Sequence, residues 1–164
     1  MKRTAIKRAA VFLLAAVFIM MLTGCDVETH RKNNQYVSDV KNLVNDSVNL
    51  TRKLKQQSEE LDCKDAEKVR GYLLAADDLI NTLQQIQKLR PTNEFDEMDE
   101  RLKTASEAAL NNISQIRSFV AYARDSGDDT IFKRESDSYY TLYLESYDKM
   151  KQLSSEIQTY WRNA

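Results

Sequence analysis

The sequence predicts an all-α fold, arranged as an antiparallel up-down-up-down four-helix bundle. The 164-residue chain contains only three glycines and one proline, and this scarcity disfavours the tight turns of a β-sheet protein. Beyond residue 35, apolar residues recur at steps of three and four, which is the spacing of one helix face. A three-helix bundle with one broken helix is the alternative architecture.

The first helix of the bundle is predicted to begin near residue 36 and to carry a partly polar stripe. The apolar steps are Val37, Val40, Val44, Leu54 and Leu61, and the missing steps are filled by Ser47, Thr51 and Ser58. The sequence Leu61-Asp62-Cys63-Lys64-Asp65 breaks this pattern. Either aspartate can cap the helix that follows, because a carboxylate at that position accepts free backbone N–H groups.

Three further stripes are separated by two turn signals. The second stripe runs from Ala66 to Leu83, the third from Phe95 to Ala123, and the fourth from Phe132 to Tyr160. Pro91 disfavours a helical conformation at the residue before it, and a glycine such as Gly127 commonly ends a helix. These signals predict four helices joined by short links.

A basic and then apolar segment precedes the bundle. Lys2, Arg3, Lys7 and Arg8 are followed by residues 9–22, which have no polar side chain. This order is typical of a secretory signal and is short for a membrane-spanning helix. The segment ends in Leu22-Thr23-Gly24-Cys25, which resembles the lipobox of bacterial lipoproteins.

The resemblance implies that residues 1–24 are a signal peptide and that Cys25 carries a diacylglycerol after cleavage. An uncleaved transmembrane anchor is the alternative. Both place the remaining chain on the outer face of the cytoplasmic membrane. Residues 25–35 are then the lipidated cysteine and a polar tether, and residues 36–164 are the bundle domain.

The whole chain also resembles, loosely, small uncharacterised helical-bundle lipoproteins of Gram-positive bacteria. This resemblance rests on the lipobox, the helical ectodomain and a central Leu89-Arg90-Pro91 turn that opens an amphipathic helix. It implies no activity.

Charge and cysteine content narrow the classes of partner. Without residues 1–24, 20 lysines and arginines face 25 aspartates and glutamates. Nucleic acid is not expected as a partner, because phosphate binding requires a basic stripe and none is visible. If Cys25 carries lipid, Cys63 has no internal disulfide partner and either pairs between chains or remains a tolerated thiol.

The sequence offers no catalytic or metal-binding motif, so we expect neither an enzyme nor a cofactor. His30 is the only histidine and lies in the tether, which excludes the Glu-x-x-His pairs of di-iron bundles. The loop at residues 125–129 fails as a calcium loop, because Thr130 and Ser136 stand where glycine and glutamate are needed. The acidic run at residues 94–100 and the pair Asp77-Asp78 are expected on solvated helix faces.

Four tyrosines cluster on the last helix: Tyr139, Tyr140, Tyr143 and Tyr147. They could form an aromatic groove for a glycan, a peptide or a lipid, since tyrosine combines a flat apolar ring with a polar tip. The alternative is that they are core residues, and their helical spacing favours this alternative. We expect Tyr139 and Tyr143 to be buried and Tyr140 and Tyr147 to be partly exposed.

These observations favour a non-catalytic, lipid-anchored bundle that binds a protein or a cell-wall component at the outer face of the membrane. The alternative is a sensor or carrier of a small ligand that uses the tyrosine-rich helix face.

Overall fold

A computed structural model of the protein describes the backbone of residues 2–164 and the side chains of residues 27–164. Its helices are α1 (Lys2–Glu59), α2 (Ala66–Gln87), α3 (Asp96–Ser126) and α4 (Thr130–Asn163), with one 3-10 turn at Asn93–Phe95. Residues 2–164 contain no strand. The predicted four-helix bundle is therefore confirmed, and the three-helix alternative is wrong.

Consecutive helices pack side by side, and α1 also packs against α4, so that the four helices close into a ring. This arrangement gives the bundle two ends. We call residues 27–36, 88–96 and 157–164 the proximal end. There, Trp161 Nε1 donates a 2.7 Å hydrogen bond to Asn34 Oδ1. We call residues 59–66 and 124–133 the distal end, which contains the α1–α2 and α3–α4 turns.

The core combines large apolar side chains with small hydroxyls, as the partly polar stripe predicted. Ser47, Thr51 and Ser146 are buried, whereas Ser58 and Ser136 are half-buried. The hydroxyl of Ser47 donates to the Val44 carbonyl at 2.7 Å, and that of Thr51 donates to the Ser47 carbonyl at 2.6 Å. Burial of a hydroxyl is costly only when it lacks a partner, so these residues are tolerated inside the bundle.

Two helix ends, the start of α2 and the end of α3, follow the predicted capping chemistry, whereas the first residues of α3 and α4 have no side-chain cap. Asp65 Oδ1 accepts the backbone N–H groups of Glu67 at 3.0 Å and Lys68 at 3.2 Å, and so caps α2. Gly127 ends α3 in the left-handed conformation, with φ of 72°, and its N–H bonds to the Ala123 carbonyl at 2.9 Å. A left-handed residue satisfies carbonyls that the last helical turn leaves free.

Two expectations differ from the structure, because polar side chains rather than apolar ones pack these segments against the bundle. Residues 27–35 continue α1 rather than forming a separate tether, and Asn33 is buried. The acidic run is not uniformly solvated, since Asp99 is buried within α3. Asp77 also pairs with Arg117 of α3 at 2.5 Å. Apolar periodicity gives no signal for contacts of this kind.

No helix within residues 27–164 carries an apolar stretch long enough to cross a bilayer. The side chains of residues 9–22 and of the lipobox-like Leu22-Thr23-Gly24-Cys25 lie outside the described part of the chain.

We predict opposite outcomes for two glycine substitutions. Gly127→Ala should lower the free energy of unfolding by about 1–2 kcal/mol, because an L-residue with a side chain is strained at a φ of 72°. Gly71→Ala is the matched control. Its new Cβ would lie 3.3 Å from Nε2 of Gln57, the far end of a flexible side chain, and alanine favours the helix by up to about 1 kcal/mol. Urea denaturation measures both, and an unchanged Gly127→Ala variant would contradict the cap.

Candidate functional site

The tyrosines of α4 form a ladder that faces α1 and is largely closed to solvent. Tyr143 is fully buried and its hydroxyl shares a hydrogen bond with the hydroxyl of Thr51. The ring of Tyr147 stacks on Tyr143 with centroids 6.1 Å apart, and Tyr140 lies 6.1 Å away on the other side. The ladder therefore belongs mainly to the α1–α4 interface.

The predicted exposure is correct for two of the four tyrosines. Tyr143 is buried and Tyr140 is partly exposed, as expected. Tyr139 is only half-buried, because its ring turns toward α3 and meets Phe119 edge-on at 5.5 Å. Tyr147 is buried rather than partly exposed, with Nζ of Lys151 lying 5.3 Å from its ring centroid. The four side chains thus do not share one open surface.

The open part of the tyrosine face is a small cleft near the distal end. It has a volume of about 270 Å³, and its walls include Ser58, Tyr72, Phe132, Lys133, Asp137 and Tyr140. Ligand pockets usually span about 300–1,000 Å³, so this cleft could hold only a small group.

A larger groove lies between α3 and α4, with a volume of about 560 Å³. Its floor is made of the buried side chains of Ala105, Ser146 and Leu153. Its rim carries charges of both signs. The rim residues are Glu97, Glu100, Arg101 and Lys149, together with the polar residues Thr104 and Gln152. An ion pair of 3.3 Å between Arg101 of α3 and Glu156 of α4 links the two helices beside it.

The groove was not predicted from the sequence, although the sequence contains a signal for it. Ala105, Ala108 and Ser146 are small residues on the facing sides of two long helices. Small side chains leave space between packed helices that larger ones would fill. Helical periodicity indicates that such positions face a neighbouring helix. It does not indicate whether their side chains fill the space between the two helices.

A third cluster occupies the proximal end, where α1, the α2–α3 turn and the end of α4 meet. Nδ2 of Asn33 donates to Glu94 Oε2 at 2.6 Å, and Oδ1 of Asn33 accepts from the Thr92 hydroxyl. The His30 ring lies 4.8 Å from Trp161, whose centroid is 6.0 Å from buried Phe95. An open cleft of about 460 Å³ lies beside Val27, His30, Glu94 and Trp161.

Histidine, cysteine and acidic side chains are the groups that bind metal ions in proteins. Residues 27–164 contain no group of three histidine, cysteine or acidic side chains arranged to hold a metal ion. Cys63 is a free, half-buried thiol at the distal end, and burial together with nearby Asp129 and Asp62 raises the pKa of that thiol. A raised pKa lowers the thiolate fraction and therefore the reactivity of a cysteine.

Comparison of the chain with protein-family models, with curated proteins and with solved structures yields no match.

We predict that Tyr143→Ala lowers the free energy of unfolding by roughly 3–5 kcal/mol, as truncation of a large buried aromatic does. The buried ring is lost and the hydroxyl partner of Thr51 is removed with it. Tyr140→Ala is the matched control on the same helix. It should cost clearly less, because Tyr140 is partly exposed. Chemical denaturation monitored by circular dichroism measures both, and equal stability of the Tyr143→Ala variant and the native protein would favour a ligand-binding tyrosine face.

We also predict a loss of stability at alkaline pH. Burial raises the pKa of Tyr36, Tyr72 and Tyr143 well above the usual value. Below pH of about 10, the pKa of tyrosine in an unfolded chain, these three side chains are neutral in both states and contribute their full stabilisation to the fold. Above that pH, the unfolded tyrosines ionise while the folded ones stay neutral. The free energy of unfolding should therefore fall by up to about 1.4 kcal/mol per pH unit for each tyrosine.

Urea denaturation at a series of pH values above neutrality measures this slope. The Tyr72→Phe variant should show a shallower slope, because phenylalanine keeps the ring and removes one titrating group. The raised pKa of Tyr72 comes from burial, with a smaller effect of Tyr140. Equal slopes in the variant and the native protein would contradict the prediction.

Proposed function

We propose that the protein is a non-catalytic, lipid-anchored helical bundle that binds a partner at the outer face of the cytoplasmic membrane. In this proposal Cys25 carries the diacylglycerol. The lipobox-like Leu22-Thr23-Gly24-Cys25 supports the anchor, and α1 passes without a break from the segment that contains Cys25 into the bundle. If Cys25 is the attachment point, the bundle stands directly on it. The sequence, which has one histidine and no catalytic motif, supports a binding role.

The anchor chemistry accounts for stable attachment. One acyl chain holds a protein at a membrane only marginally, whereas two hold it stably, and a diacylglycerol supplies two. An α-helix rises 1.5 Å per residue, so His30 lies about 7–8 Å along the helix axis from Cys25. Because α1 is a helix from that point onward, the anchor limits the distance between the bundle and the membrane.

We propose the α3–α4 groove as the surface that receives the partner. It has the largest volume of the concave surfaces described above, and its walls belong to two long helices rather than to a terminus or a turn. Arg101 and Lys149 can pair with carboxylates, while Glu97 and Glu100 can pair with cations. A protein segment or a charged wall polymer offers such groups. Mixed charges of this kind contribute specificity and orientation more than affinity.

The tyrosine face gives weaker support to the alternative, a sensor or carrier of a small ligand. Tyr143 and Tyr147 are buried, and the cleft beside Tyr140 is small. A glycan, peptide or lipid would have to displace these rings from the α1–α4 interface.

The test has two parts, one for the anchor and one for the groove. Mass spectrometry of the protein from native membranes should find Cys25 modified by lipid and residues 1–24 absent. The Cys25→Ala variant should lack the lipid. An unmodified Cys25 on a chain that retains Met1 would refute the anchor.

For the groove, a photo-crosslinking amino acid replaces Gln152 on its rim, and a matched control replaces Leu74, an exposed residue of α2. Crosslinking in intact membranes should give a discrete adduct from position 152 that position 74 does not give. The adduct should disappear when Arg101 and Lys149 are both changed to glutamate. Adducts of equal yield at both positions would contradict a partner in this groove.

A further inference from the structure

The two ends of the bundle carry charges of opposite sign. At the distal end, seven carboxylates stand against three cations. The carboxylates are Glu59, Glu60, Asp62, Asp65, Asp125, Asp128 and Asp129, and the cations are Lys64, Arg124 and Lys133. At the proximal end, five cationic side chains stand against three acidic side chains. The cations are Arg31, Lys32, Lys88, Arg90 and Arg162, and the carboxylates are Glu28, Glu94 and Asp96.

All five cations of the proximal end are exposed. One of them has an acidic neighbour on its own helix, since Lys32 lies 2.8 Å from Glu28. The excess of positive charge remains, and it is concentrated at the end of the bundle from which α1 leads back to Cys25. A chain that is acidic as a whole thus presents a basic end.

The same end presents aromatic and apolar side chains to solvent. Val27 is 70% exposed and Tyr160 is 44% exposed, while Trp161 is partly exposed. Tryptophan and tyrosine are enriched where a protein meets the headgroup layer of a membrane, because their rings have an apolar body and a polar edge. The basic and aromatic residues together have the composition of a surface that contacts lipid.

Trp161 is held in a fixed position rather than lying free on the surface. Its Nε1 donates to Asn34 of α1, and its ring packs against His30 and Phe95. Asn34 and His30 are nine and five residues after Cys25, so Trp161 lies at a height of about 7–14 Å above it along α1. With Cys25 at the glycerol level of the bilayer, the lower end of this range matches the outer edge of the headgroup layer, which is about 5–8 Å thick on each side.

We infer that the proximal end of the bundle is a membrane-contact surface, which holds Tyr160 and Trp161 against the outer edge of a headgroup layer of anionic phospholipids. Arg31, Arg90 and Arg162 then meet lipid phosphates. The inference rests on the proposed attachment at the start of α1. Each basic side chain near an anionic surface favours binding by about fivefold. The acidic distal end is repelled only when the bundle tilts toward that surface, because salt screens charges beyond about 8–10 Å. Both effects hold the bundle upright and leave the α3–α4 groove facing sideways, open to a partner in the same membrane.

Trp161 is the only tryptophan in the chain, which makes its fluorescence a specific probe. The full-length protein, isolated from membranes, is reconstituted into vesicles of phosphatidylcholine and phosphatidylglycerol that contain lipids with a nitroxide on the headgroup. We expect strong quenching of Trp161. In the matched control, Trp161→Phe is combined with Tyr122→Trp, which moves the tryptophan to an exposed site near the distal end of α3. Quenching should there be several-fold weaker, and equal quenching at both sites would overturn the inference.

A second pair of variants tests the charge. Arg31→Glu with Arg162→Glu should reduce the quenching of Trp161 several-fold in vesicles that contain phosphatidylglycerol. Lys64→Glu with Arg124→Glu changes the same charge at the distal end and should leave it unchanged. If Trp161 fluorescence is quenched as strongly in the proximal variant as in the native protein, the proximal end does not bind an anionic lipid surface.

The outcomes separate this inference from the proposed function. A lipid on Cys25 together with an unquenched Trp161 overturns the inference and leaves the anchor standing. Such a result would arise if a second copy of the chain covered the proximal end. An unmodified Cys25 together with a quenched Trp161 refutes the lipid anchor and supports the membrane-contact surface.

Discussion

Asp99 has 7% of its side chain exposed, and the fold must supply partners for this carboxylate. Tyr36 of α1 donates a hydrogen bond to it at 2.9 Å, and Lys103 Nζ lies 2.6 Å away. Lys103 also donates to the Leu89 carbonyl at 2.8 Å, in the α2–α3 turn. Removing one partner of a buried ion pair costs about 3–5 kcal/mol. This single carboxylate therefore fixes α1, the turn and α3 in one register.

The packing of side chains at the proximal end depends on this register of α1, the α2–α3 turn and α3. With Tyr36 held on Asp99, its ring lies 5.2 Å from Phe95, and Phe95 in turn packs edge-on with Tyr160 at 5.6 Å. Asn33, one helical turn earlier, reaches Glu94. Polar contacts thus keep α1 packed on the bundle where the sequence offers no apolar stripe. An ordered end holds Trp161 at a defined distance from Cys25 along α1, which a flexible tether could not do.

In the distal half of the bundle, small hydroxyl side chains of α1 pack against tyrosine rings of α4. Small hydroxyls on α1 leave room for tyrosine rings from α4, and the hydroxyls of Thr51 and Tyr143 satisfy each other inside the core. This pairing explains why α4 can carry so many tyrosines and remain a core helix. The α3–α4 groove lies on the side of α4 that faces α3, where Ser146 and Ala105 both line it.

The sequence by itself determined the helical class, the four stripes, the two turns and the caps at Asp65 and Gly127. These features depend on local spacing and on the conformational preferences of single residues. Tertiary structure decided that residues 27–35 pack on the bundle, that Asp99 is buried, and that Tyr147 rather than Tyr139 is enclosed. It also decided the position of the α3–α4 groove. These features depend on which side chains from distant segments meet, and helical periodicity gives the face of a residue without giving the size, charge or hydrogen-bonding groups of its neighbour.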